Sequence, residues 1–173
     1  EAARGEITPV YAIATPRPVV GIIGVGGGKQ VAGARAAGAA SILAIDINPT
    51  LLRWVTGDDA ERNGGLFLAP EIEIREGDGR SLVRAERERF DVLVMHAIDT
   101  YAATAAGAYA LSENFLYSVE AFEDYWRALR PNGVMSISRW LFYPPRENLR
   151  LFATALRALE QLGAADPLAH LAV

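Results

Sequence analysis

Glycines at positions 24, 26, 27 and 28 close an apolar run that starts at Val19, and a second apolar run, starting at Ser41, ends on Asp46. A βαβ nucleotide site is written this way. A buried strand stops, the backbone turns tightly, and a helix begins with its free N–H groups toward a ligand. A carboxylate at the tip of the next strand then accepts ribose hydroxyls. Each feature also has a plainer reading. Glycine-rich turns serve tight packing, and Asp46 can be a simple strand-end charge.

Further polar residues stand where other apolar runs end. Asp78 lies between Gly77 and Gly79 and is a candidate acceptor for an adenine amino group, although Asp-Gly is also ordinary turn chemistry. Asp99 can hold an amine or act as a base, or it can cap the helix that follows it. His96 can titrate, or be a hydrogen-bonded strand-end residue. Tyr101, Tyr109 and Trp140 can wall a pocket or belong to the core. Glu113 reads as a site carboxylate or as a helix-start charge.

The glycine segment does not fit two better-known phosphate motifs. A Walker loop needs Gly six positions before its Lys and Ser or Thr after it, and here Ile23 and Gln30 occupy those places. In a Gly-x-Gly-x-x-Gly dinucleotide fingerprint the third glycine would fall on Lys29.

The elements that position these residues follow from periodicity and punctuation. Strands are expected at 19–23, 41–45, 71–75, 91–95 and 134–138. Helices are expected at 30–37, after Asn48-Pro49, around 81–88, at 119–129 and at 145–162, the last ended by Gly163. Residues 58–65 read as a loop, and 97–110 as a long alanine-rich connection. Alternating strands and helices with apolar strands predict a three-layer, doubly wound, mostly parallel sheet of Rossmann-like type. The candidate residues then gather at the carboxyl edge of the sheet, where such folds bind ligands.

Composition narrows the classes. A chain of 173 residues, 51% hydrophobic and 22% charged, forms a single domain with a substantial core. Net charge is −4 with no basic run, which argues against a nucleic-acid partner. There is no cysteine, hence no thiolate chemistry, and the two histidines, His96 and His170, stand too far apart in sequence to suggest a zinc cluster. No apolar stretch reaches the roughly 18–20 residues of a membrane span. The sequence starts without methionine and stops as an apolar segment begins, so residues 1–173 are read as one domain cut from a longer chain.

Taken in order, the motifs resemble class I S-adenosylmethionine-dependent methyltransferases, and within them the spermidine-synthase-like branch. The segment Ile23-Gly-Val-Gly-Gly-Gly is similar to the cofactor glycine motif. Ala44-Ile-Asp-Ile-Asn is similar to the ribose-binding acidic motif, which adds Ile47 to the cofactor-binding candidates. Glu76-Gly-Asp-Gly-Arg resembles the segment that meets adenine, which adds Gly79. Residues 129–134 resemble the turn before strand five. Residues 98–117 resemble spermidine-synthase-like domains of bacterial multi-pass membrane proteins. This resemblance implies a cytoplasmic domain, in a parent with flanking transmembrane segments.

The resemblance implies a transferase that binds an adenosyl sulfonium across residues 24–28, Asp46, Ile47, Asp78 and Gly79. The donor would be S-adenosylmethionine or its decarboxylated form, leaving S-adenosylhomocysteine or methylthioadenosine. The acceptor would be a small amine or another small molecule, contacted by Tyr101, Glu113 and Trp140, and a homodimer is the expected assembly. Spermidine synthases carry Asp-x-x-Asp after strand four, whereas this chain has His96 and Asp99 there. Asp99 is expected to orient the nucleophile and His96 to accept its proton. Competing expectations are methyl transfer in place of aminopropyl transfer, a domain that binds the nucleoside without turnover, and an NAD-dependent dehydrogenase.

Overall fold

The strand cores at 19–23, 41–46 and 90–96 are apolar on both faces, so each needs helices above and below it. A computed structural model describes residues 9–57, 60–96, 98, 115–141 and 143–173. Strands β1 (Val19–Ile23), β2 (Ser41–Asp46), β3 (Ile72–Glu76), β4 (Phe90–His96) and β5 (Leu129–Ser138) form one sheet in the order β3-β2-β1-β4-β5. All four pairings are parallel. The chain lays β1, β2 and β3 outward in one direction, then crosses to β4 and β5 on the other side. The order therefore reverses between β1 and β4, and the crevice of a doubly wound sheet opens at that point.

Side-chain alternation sorts the core into two layers. Ile42, Ala44, Val20, Ile22, Val92 and Val94 face α1 (Lys29–Ala36) and α2 (Pro49–Thr56), whose Val31, Ala34, Leu52 and Val55 complete that layer. Leu43, Ile45, Leu93 and Met95 face the opposite way. They meet α3 (Gly79–Arg84), α4 (Val119–Ala128) and α5 (Arg146–Gln161) through Val83, Phe122, Tyr125 and Ala158. The fold is thus the three-layer, Rossmann-like class I arrangement read from the sequence, with an all-parallel sheet. Burial of each large aliphatic or aromatic side chain contributes roughly 1.5–3 kcal/mol.

Local chemistry sets the helix starts. Asn48 caps α2, its side chain accepting from the N–H groups of Thr50 and Leu51 at 3.0 and 3.2 Å, with Pro49 at the first helical position. Ser118 caps α4 through the Ala121 N–H. Gly163, at φ 80°, follows α5.

Three expectations need correction. The helix around 81–88 is shorter and earlier, because Asp78 caps it from one turn before. The loop at 58–65 contains a 3₁₀ turn, Ala60–Asn63, followed by a second, Leu66–Leu68. Strand β5 starts at Leu129, opposite Phe90, and resumes register at Val134 opposite Val92. The residues between bulge out through Asn132 at φ 65°, so the proline turn is built into the strand.

Gly79 fixes how closely α3 approaches β1. A methyl group there would overlap the Ile23 side chain, which is itself buried in the core. Gly79→Ala is expected to cost about 1–3 kcal/mol of stability by overpacking, measured by denaturant unfolding. An unchanged midpoint would mean that this contact is relaxed.

Candidate functional site

Three loops converge on Asp46. Its Oδ2 accepts from the N–H of Val25 at 2.9 Å and from that of Gly26 at 3.4 Å. Its Oδ1 accepts from the N–H of Asn48 at 2.9 Å. Its backbone carbonyl accepts from the N–H of Gly77 at 2.9 Å. One residue therefore ties together the turns that follow β1, β2 and β3. The first turn continues the ladder, with Gly24 N–H donating to the Ile45 carbonyl at 2.9 Å.

The glycines of the first turn divide into two pairs. Gly24, Gly26 and Gly28 adopt φ of 82°, 51° and 88°, backbone that L side chains rarely take. A Cβ on Gly24 would press on Ile98 at 3.1 Å, and one on Gly28 would press on Leu66 and Phe67 at 3.0 Å. A Cβ on Gly26 or Gly27 would meet nothing within 4 Å. Packing therefore accounts for Gly24 and Gly28, whereas Gly26 and Gly27 present bare backbone to open space. Ile47, next to the carboxylate, is 70% exposed. Open backbone, a carboxylate beneath it and an exposed apolar side chain beside it suit a nucleoside: hydroxyls on Asp46, an aromatic face on Ile47. A carboxylate has about four acceptor positions. Three backbone N–H groups use most of them, and the long Gly26 bond is the weakest to displace.

Gly79 sits against the end of β1, as described. Asp78 Oδ1 accepts from the Ser81 N–H at 2.7 Å and caps α3. One carboxylate oxygen of this predicted adenine acceptor therefore has a structural role. Arg80, the next residue but one, is a strut that sequence reasoning missed. Its Nε lies 2.9 Å from Asp124 Oδ2 on α4, with both side chains about nine-tenths buried. Its guanidinium also covers the Phe115 ring at 4.7 Å and reaches Ser118 Oγ at 3.4 Å. The residue types gave no signal of this pairing, because forty-odd positions separate the partners.

His96 ends β4 on the far side of the crevice. Its Nε2 shares a hydrogen bond of 2.8 Å with Ser136 Oγ on β5. Burial, and secondarily the positive charge of Lys29 at the start of α1, hold its pKa below the ordinary histidine value. The imidazole is therefore neutral at pH 7 and able to accept a proton. Ser136 was not singled out from the sequence. Alternation within β5 alone carries no signal of this, because the parallel register of β4 with β5 is what brings Ser136 to the face of His96. Trp140 lies just beyond β5 and is 43% exposed. Nearby, Arg139 stacks over the Tyr117 ring at 4.5 Å and approaches Glu147 at 3.6 Å, in a small cavity closed by Arg150, Leu151 and Thr154. Asp99, Tyr101, Tyr109 and Glu113 lie outside the described residues.

Sheet order, carboxyl-edge crevice and glycine turn together define a doubly wound, Rossmann-like nucleotide-binding fold. Residues 22–137 match the family described as "Methyltransferase domain". The chain belongs to that family. No curated protein sequence matches it. Among solved structures, spermidine synthase from Thermotoga maritima superposes with a TM-score of 0.63 at 19% identity, covering 90% of this chain and 51% of that one. A spermidine synthase in complex with the transition-state analogue AdoDATO gives the same TM-score and identity, covering 90% of this chain and 48% of that one. A methyltransferase from Geobacter sulfurreducens gives 0.55 at 18% identity, covering 83% and 65%. The chain thus spans about half the length of these spermidine synthases, and the likeness shows the shared fold. Among the described residues, no helix is long and apolar enough to cross a membrane.

Asp46→Ala removes the acceptor for three backbone N–H groups. It is expected to lower stability by about 1–3 kcal/mol and to speed hydrogen exchange at the amides of Val25 and Asn48. Unchanged exchange at both amides would show that the carboxylate does not organise the loops.

Proposed function

We propose that this domain binds an S-adenosyl sulfonium donor across residues 24–28 and passes an aminopropyl group to a small amine. The observation that carries donor binding is the Asp46 carboxylate held beneath the open backbone of Gly26 and Gly27, with Ile47 exposed beside it. The residues present fit such a donor. Asp46 would take the ribose hydroxyls, the remaining oxygen of Asp78 an adenine amino group, and Ile47 the face of the base. When bound, the sulfonium supplies an electrophilic carbon and a neutral thioether as leaving group.

The protein's own part is alignment and proton handling. An amine at neutral pH is an ammonium without a lone pair, so a base must take its proton before it can attack. A neutral imidazole suits this task, and His96 is kept neutral by burial and by Lys29. Asp99, three residues on, is assigned the orienting role. A second reading is transfer of a methyl group from S-adenosylmethionine. The matched family is described as a methyltransferase domain, and His96 stands where the spermidine-synthase-like pattern has its first acid. In either reading the acceptor is a small molecule, and the parent protein carries the domain beside membrane segments on the cytoplasmic side.

Calorimetry separates the donor classes. Methylthioadenosine and the two sulfonium donors are expected to bind at least about ten-fold more tightly than NAD, a difference of about 1.4 kcal/mol. Preferential NAD binding would overturn the transferase reading. Turnover with putrescine and decarboxylated donor supports aminopropyl transfer. Methylated product from S-adenosylmethionine supports the second reading, and donor binding without either product leaves a nucleoside-binding domain.

A further inference from the structure

Histidine has two ring nitrogens, and the partner of one decides what the other can do. In this protein the partner is built into the sheet. Strands β4 and β5 pair in register, with Val94 opposite Ser136 and His96 opposite Ser138. Val94 and Val134 belong to the core layer under α1 and α2, so alternation puts His96 and Ser136 on that face too. The ring leans back along β4 toward the hydroxyl, and Nε2 and Oγ lie 2.8 Å apart. Both backbones are held by ladder hydrogen bonds, so the distance is set by the sheet rather than by a loop.

A single hydrogen lies between Nε2 and Oγ. If the serine donates it, neutral His96 carries its own proton on Nδ1 and offers that nitrogen only as a donor. If Nε2 donates it, Nδ1 is bare. Only the second state can accept a proton at Nδ1 while keeping the bond to Ser136. In that state the ring needs no rotation when it becomes charged, and the hydroxyl oxygen stabilises the imidazolium. We infer that Ser136 is the positioning residue for His96: its Oγ accepts the Nε2–H, fixes the tautomer, and makes Nδ1 the nitrogen that takes the proton from the nucleophile. The inference rests on the proposed role of His96 as proton acceptor.

The charge around the ring is consistent with a need for such support. On β5 the ring meets the neutral Ser136 hydroxyl, and from α1 it feels Lys29, the charged group among the described residues whose field bears on it. A nearby cation opposes the imidazolium, so an acceptor at Nε2 offsets part of that cost.

The test is ¹⁵N NMR of the imidazole rings, which needs neither donor nor turnover. The chain has only two histidines, and His170 on the surface serves as internal reference. In the wild type above its titration midpoint, His96 is expected as the Nε2–H tautomer. Ser136→Ala should mix the tautomers and lower the midpoint by about one pH unit, because the cation loses its acceptor. Ser136→Thr, which keeps the hydroxyl, should restore both. An Nδ1–H tautomer in the wild type overturns the inference even where a variant fails to fold. A midpoint that rises or stays put in Ser136→Ala does so as well. Failure of the transfer assays with these NMR results intact would count against the proposed activity and not against the tautomer assignment.

Discussion

The site is organised by one carboxylate. Asp46 ends β2, yet its hydrogen bonds reach the turn after β1, the turn after its own strand and the turn after β3. A turn with three residues at positive φ and no side-chain cap on the helix it opens has little to hold it in place. The Asp46 oxygens provide that hold from below, and they leave the upper side of Gly26 and Gly27 bare. The same atoms that fix the loop are therefore those a ribose would reach. In the proposed site, ligand binding and loop order would be coupled through this single group, with the long Gly26 bond as the contact most readily exchanged.

Around this point the fold uses close approach rather than bulk. Gly24 makes room for Ile98, Gly28 for Leu66 and Phe67, and Gly79 for Ile23. The turns after β1 and β3, and Ile98 just beyond β4, are thereby drawn to the reversal point of the sheet. On the other flank, the buried Arg80–Asp124 pair joins α3 to α4. A pair so shielded is costly to break from one side, because the partner is left charged and desolvated. It thus holds the turn after β3 relative to the segment entering α4.

Much of this was legible in the residues because the signals are local. Apolar runs and, for the third strand, apolar–charged alternation gave the strands, and Asn48-Pro49 and Gly163 gave helix ends by their own conformational preferences. The glycine turn and Asp46 could be read together because their spacing is that of one βαβ unit. What was not legible depends on contacts distant in sequence. Nothing about Ser136 alone marks it as the partner of His96; parallel pairing of β4 with β5 makes it so. Arg80 and Asp124 are likewise ordinary surface residue types until α3 and α4 pack. The start of β5 was misplaced because Pro131-Asn132-Gly133 signals a turn locally, whereas Phe90 and Leu129 pair across it. Asp78 reads from the sequence as a turn residue or as an adenine acceptor, and the structure shows a structural role, with one oxygen capping α3.

In the proposed complex a nucleoside lies on the open backbone of Gly26 and Gly27 with its ribose on Asp46. The most direct measurement is amide chemical-shift mapping while methylthioadenosine is titrated into the protein. The largest changes are expected on Val25, Gly26, Gly27 and Ile47, with Asn48 following as Asp46 exchanges partners. Saturable shifts elsewhere, with those amides unmoved, would contradict it.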